Sequence, residues 1–138
     1  MQSSPYARKR FLIAVPLGIF FGFVCAALAS GSAPAGFWGG PIMWSIVADR
    51  FLIGLLIAMA GVFTVHPVFS IPCPWYFRGA IMGLLGSLPL AAGAMSTPNP
   101  AMTPWNLFFL TVAAGIFYGI SIDLVATKWG GEGKKLLG

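Results

Sequence analysis

The sequence predicts an all-α polytopic membrane protein: four transmembrane helices in an antiparallel bundle, with both termini inside (N-in/C-in). Three observations carry that prediction. Hydrophobic residues make up 58% of the chain and charged residues only 8%, with a mean hydropathy of +0.88, whereas soluble domains carry roughly 25% charged residues. Four apolar runs approach the ~20 residues that a helix needs to cross the bilayer core. Finally, Arg8, Lys9, Arg10, Arg78, Lys128, Lys134 and Lys135 fall on one side of a four-span chain, and neither opposite loop contains Lys or Arg. That asymmetry marks the cytoplasmic side. The spans use up most of the 138 residues, so one integral membrane domain over 1–138 is expected.

The first span is expected at about 11–29, after the basic triplet Arg8-Lys9-Arg10. A cleaved signal peptide is the rival, because Ala27-Leu28-Ala29 forms an A-x-A pattern before Ser30. The run is longer than a usual signal-peptide core of about 7–15 residues. It also carries Ala14, Gly18, Gly22 and Ala26 at i+4 spacing, the small-residue seam along which membrane helices approach closely. A retained first helix is therefore expected.

The second span, about 44–66, starts at an interface marked by Trp38 and Trp44 and carries Asp49 and Arg50 within its apolar run. A charge near a bilayer centre costs about 2.5–3.5 kcal/mol on insertion scales, so it persists where it has a partner or a water path. Arg50 lies six residues beyond Trp44, about 9 Å along a helix rising 1.5 Å per residue, which would let it reach the headgroups. The alternative places Asp49 and Arg50 in a polar pocket open to the outer side. Adjacent helical residues diverge by about 100°, so the two are not expected to pair face to face. Each would take its partner from another helix, another subunit or water.

Three prolines (Pro67, Pro72 and Pro74) break the chain after His66, and Trp75 and Tyr76 would hold this piece at the membrane surface. The third span, about 78–95, contains Gly79, Gly83, Ser87 and Ala91 at i+4 spacing, with Pro89 as a kink. The fourth, about 105–127, contains Thr111, Gly115, Gly119, Asp123 and Thr127. The nine-residue connection 96–104 makes these two helices antiparallel neighbours. Gly79, Gly83 and Ser87 are expected to face Gly115 and Gly119, whereas Gly54 falls outside the seams. The glycine-rich tail after Thr127 is expected to be mobile.

Candidate functional residues are few. Asp123 and Arg78 fall at the same level and are expected to form an ion pair; the alternative makes Asp123 a protonatable carboxylate on a transport path. Asp49 and Asp123 fall near opposite membrane faces, which argues against two-carboxylate acid/base chemistry. His66 has no second ligand at i+3 or i+4 and reads as an interfacial helix end. Cys25 and Cys73 fall on opposite sides, beyond disulfide reach. No nucleophile-elbow, zinc-protease or phosphate-loop motif occurs. Hence no enzyme, metal or cofactor is expected, and no nucleic acid, because no basic face is interleaved with aromatics.

In size and helix number the chain looks like small dimeric transporters. It lacks the first-helix glutamate of the small multidrug resistance family and the arginine-containing first-helix pattern of fluoride channels. Arg78-Gly79-x3-Gly83-x3-Ser87-Leu88-Pro89 and Tyr118-Gly119-x3-Asp123-x4-Lys128 resemble uncharacterised small four-helix bacterial inner-membrane proteins over about 78–128. The resemblance implies that fold and a multi-pass location in the bacterial inner membrane. The expected role is a non-enzymatic structural or accessory component that meets the lipid bilayer, as a homo-oligomer or within a larger complex. The alternative is a small oligomeric channel or transporter using Asp49, Arg50 and Asp123.

Overall fold

The computed structural model describes residues 4–66, 68–99 and 101–137. It contains four α-helices: α1 (Pro5–Ser30), α2 (Pro41–Ala60), α3 (Trp75–Ala94) and α4 (Pro104–Gly130). Each is long and apolar enough to cross a membrane. Proline sets most of the starts. It occupies the first helical position of α1, α2 and α4 and immediately precedes α3 at Pro74, where its fixed φ suits a helix entry and its missing N–H costs nothing. Thr103 also caps α4, its side chain accepting the backbone N–H of Asn106 at 3.3 Å. Gly131, at φ +82°, ends α4 in a conformation that an L side chain resists.

The second helix stops at Ala60, not His66 as the hydropathy predicted. Residues 61–66 are mostly apolar but turn away at Gly61. Val65 pairs across a turn with Pro72, while His66 N–H donates to the Ile71 carbonyl at 2.8 Å. At the turn, Ser70 adopts φ +53°, and Val68 and Phe69 stand exposed.

The helices associate as two close hairpins. Gly18 and Gly22 of α1 lie against Arg50, Gly54 and Val47 of α2, whereas Gly79 and Gly83 of α3 lie against Gly119 and Gly115 of α4. In each pair one index falls as its partner rises, which is antiparallel packing. A Cβ added to Gly79 would sit 2.6 Å from the Gly119 carbonyl oxygen, closer than packed atoms tolerate. Gly54 is not outside the seams: an added Cβ there would sit 2.5 Å from the Ala14 carbonyl oxygen. The sequence pattern misplaced it because α2 presents no run of small residues at i+4.

Between the hairpins, Ala14, Ile53, Ile57, Ile122 and Ala126 form a fully buried apolar layer. The described residues of the tail pack back against the bundle. Gly133–Leu136 forms a 3₁₀ turn with Leu136 buried, Gly133 N–H donates to the Gly61 carbonyl at 2.9 Å, and the Ser4 hydroxyl donates to the Lys135 carbonyl at 2.8 Å. Residues 4 and 135 therefore meet at one end of the bundle, hereafter the termini end. The connection 31–40 and residues 95–99 and 101–103 form the far end.

Candidate functional site

Buried polar side chains gather at two levels. At the termini end, Asp123 of α4 is fully buried and takes two arginines. Arg78 of α3 approaches edge-on, Nε to Oδ2 at 2.8 Å and Nη2 to Oδ1 at 2.9 Å. Arg10 of α1 also donates to Oδ1. Arg10 further binds the Ile57 carbonyl of α2, through Nε at 3.2 Å and Nη2 at 3.0 Å. Thr127 accepts from both arginines, and Glu132 accepts from Arg78 Nη2 at 2.9 Å. One carboxylate thus ties α1, α3 and α4 together, and the same arginine secures α2. Two cations and two carboxylates balance locally, and each nitrogen of both guanidinium groups has an acceptor. A saturated, closed network of this kind holds a structure in register, because loss of any member strands a buried charge.

Arg10 was read from the sequence only as part of a basic topology signal. The clue to its burial lies in the phase of the helix: Arg10, Ala14, Gly18, Gly22 and Ala26, each four residues on, are the buried residues of α1 within the bundle. The arginine continues the small-residue seam by one turn. Gly61 and Gly130 make room for it, since a Cβ on either would collide with its side chain or backbone.

The second level lies at mid-helix. Asp49 and Arg50 pair with each other, Nη1 to Oδ2 at 2.6 Å, against the expectation that neighbours would diverge. The arginine stem is long enough to fold back across that divergence. Nor does Arg50 reach outward: it is 1% exposed, and α2 begins at Pro41, which puts Arg50 about 14 Å along a helix of about 30 Å. The Trp44 reference had placed it too near an end. Ser87 of α3 bonds both members, accepting from Arg50 Nη1 at 2.5 Å and donating to Asp49 Oδ2 at 3.4 Å. The guanidinium stands over the Tyr118 ring of α4, 5.3 Å from its centroid, and Nη2 approaches Cys25 Sγ of α1 at 3.7 Å. Arg50 Nε is buried with no partner among the described residues.

Asp49, Arg50, Tyr118 and Cys25 floor a partly open cavity of about 870 Å³ that extends to the far-end connections. Its walls are apolar, with Ile46, Leu90 and Leu110 among them. Below the floor, Ile53 and Ile122 belong to the dry layer that separates the two polar levels. The sequence marks Cys25 only as a free thiol and Tyr118 only as part of a motif, and does not mark Gly86; the fold reveals that they share this space with Asp49.

The remaining candidates are local. His66 Nδ1 accepts the backbone N–H groups of Val68 and Phe69 at 3.3 and 3.2 Å, which caps the turn after α2. Cys25 and Cys73 are free thiols, and burial pushes the Cys73 thiol above its ordinary range. Among the described residues, no group of three or more His, Cys, Asp or Glu side chains could hold a metal ion. No family model, curated protein or solved structure gives a match to this chain.

Proposed function

We propose that the chain is a multi-pass protein of the bacterial inner membrane, both ends cytoplasmic, and that its role is non-enzymatic: an accessory protein that holds a small amphiphilic guest between its two helix hairpins. The observation that supports this most is the one-ended cavity, polar at its floor and apolar along its walls. Small-molecule sites share this design, with about 300–1,000 Å³ of mostly apolar space and a few convergent polar groups. In this reading the Arg10–Asp123–Arg78 network is the clamp that fixes the closed end, and the seams hold each hairpin rigid. A channel or transporter built on Asp49, Arg50 and Asp123 is the second reading, favoured by ionisable side chains at mid-span. The layer of Ile53, Ile57 and Ile122 opposes a path through one subunit.

The test is native mass spectrometry of the full chain released from detergent, with flux measured in proteoliposomes. The expected result is one retained amphiphile per chain, lost in Ala114→Phe, which fills the cavity wall, and no ion flux above empty vesicles. Flux abolished by Asp49→Asn would establish the transporter reading instead.

A further inference from the structure

The floor of the cavity holds one cation and one anion, and each keeps a bonding edge unused. Asp49 spends Oδ2 on both Arg50 and Ser87, which leaves Oδ1 for another donor. Arg50 spends Nη1 on Asp49 and Ser87. Its other edge, Nε with Nη2, is the side-on fork that suits a carboxylate or phosphate. There Nε has no partner among the described residues, and Nη2 meets a thiol at 3.7 Å, a weak acceptor. A buried donor with no acceptor carries the desolvation cost of a lost bond, so the site is incomplete as it stands. In contrast, the arginines of the termini end have an acceptor on every nitrogen.

We propose that this cavity binds the headgroup of a zwitterionic phospholipid, with its phosphate on the Nε/Nη2 edge of Arg50, its primary ammonium on Asp49, and an acyl chain along the apolar wall. The inference rests on the cavity reading above. Charge decides the class. A purely anionic guest would put a second negative group beside Asp49, with Arg50 as the only arginine or lysine among the described residues that line the cavity. A purely cationic guest would leave the fork unanswered and face Arg50 itself. A head with both signs answers both edges and keeps the floor neutral, the least costly state in a low-dielectric site. The phosphate displaces the Cys25 contact, the weakest at the floor. Helices long and apolar enough for a bilayer would stand the cavity among lipids, which makes a lipid the source of such a head.

The experiment compares lauroyl lysophosphatidylethanolamine, lysophosphatidylcholine and lysophosphatidylglycerol on the wild-type chain by native mass spectrometry, with free phosphoethanolamine as the tail-less arm. The ethanolamine lipid should bind one per chain and outcompete the other two by about tenfold, the worth of one charge-assisted hydrogen bond. Free phosphoethanolamine should not bind detectably, since the apolar wall then contributes nothing. Its binding as tightly as the lipid would overturn the lipid assignment. Arg50→Lys, which keeps the charge but loses the fork, should weaken binding of the ethanolamine lipid by about tenfold while leaving one amphiphile bound. Preference for the glycerol lipid, or equal binding of all three, would overturn the zwitterion and leave the cavity reading intact. Failure of every amphiphile to bind would sink both.

Discussion

Arg78 grips Asp123 with both arms of its guanidinium, Nε on Oδ2 and Nη2 on Oδ1, at 2.8 and 2.9 Å. The side chains are 1% and 0% exposed, and Arg10 adds a second cation to the same carboxylate. This triad has a thermodynamic signature. Asp123→Ala should cost about 3–5 kcal/mol, because it strands two buried cations. Asp123→Ala with Arg78→Met should recover only part of that loss, since Arg10 remains. Adding Arg10→Met should recover more. A reversible unfolding titration in mixed micelles measures all four chains, and a stability that falls further with each added substitution would rule the triad out.

The seams make a second, simpler prediction. Leucine at Gly83, Gly119, Gly18 or Gly54 must force apart helices whose backbones touch, and should destabilise by about 2 kcal/mol or more. Leucine at Gly93 should be nearly silent, because nothing lies within 4 Å of its added Cβ. Thermal melts of the five variants rank them, and a Gly93 effect equal to the others would refute the seam argument.

Much of this was legible from the residues. Span number, the antiparallel α3–α4 seam and the meeting of Arg78 with Asp123 follow from hydropathy, i+4 spacing and a short connection. Span ends were less legible: residues 61–66 are mostly apolar whether helical or turned, and hydropathy does not distinguish the two. Arg10 was concealed by its neighbours Arg8 and Lys9, which are exposed and do serve as surface charge. Gly54 and the Asp49–Arg50–Ser87 floor depend on which face of α2 turns inward, and apart from Asp49 and Arg50, whose directions diverge by about 100°, the apolar residues of α2 carry little record of that. The cavity is a property of the splay between two hairpins, to which no local sequence pattern corresponds.

Cys73 offers a test outside the helices. Burial holds its thiol above the ordinary range, and the thiolate is the reactive form. In a Cys25→Ser background, alkylation at neutral pH should be slow, accelerate through the range above pH ~9, and become fast in denaturant. Rapid modification of the folded protein at neutral pH would show that the 71–74 segment is open to solvent.

Orientation should depend on fewer charges than a simple count implies. Arg10 and Arg78 are consumed inside the bundle, whereas Arg8, Lys9, Lys128, Lys134 and Lys135 remain exposed at the termini end. Reporter fusions at the C-terminus and within 96–104 should report cytoplasmic and periplasmic locations respectively. Substituting the five exposed cations with glutamine should weaken that bias. A periplasmic C-terminus in the parent would invert the proposed topology.

The last prediction concerns α1, whose sequence also fits a signal peptide. Cleavage after Ala29 would remove Arg10 from Asp123, strip Gly18 and Gly22 from α2, and take Cys25 from the cavity. The remainder would keep Asp123 paired with Arg78 but would lose the link from the carboxylate to the Ile57 carbonyl, the contact through which α2 joins the network. It would also expose Ile53 and Ile57, which pack against Ala14 in the apolar layer. Lipid is as apolar as those side chains, so the loss lies in close packing and in the buried charge network, not in exposure to water, and the three-helix remnant forfeits both. The mature chain should therefore keep Phe11–Ala29, and intact-mass measurement of protein from the native membrane should find no species beginning at Ser30. Expressing the chain from Ser30 onward gives the complementary reading. That fragment should be degraded or aggregate, and co-expression of residues 1–30 as a separate span should restore it. A stable, monodisperse fragment without the first span would show that α1 is dispensable and reopen the signal-peptide reading.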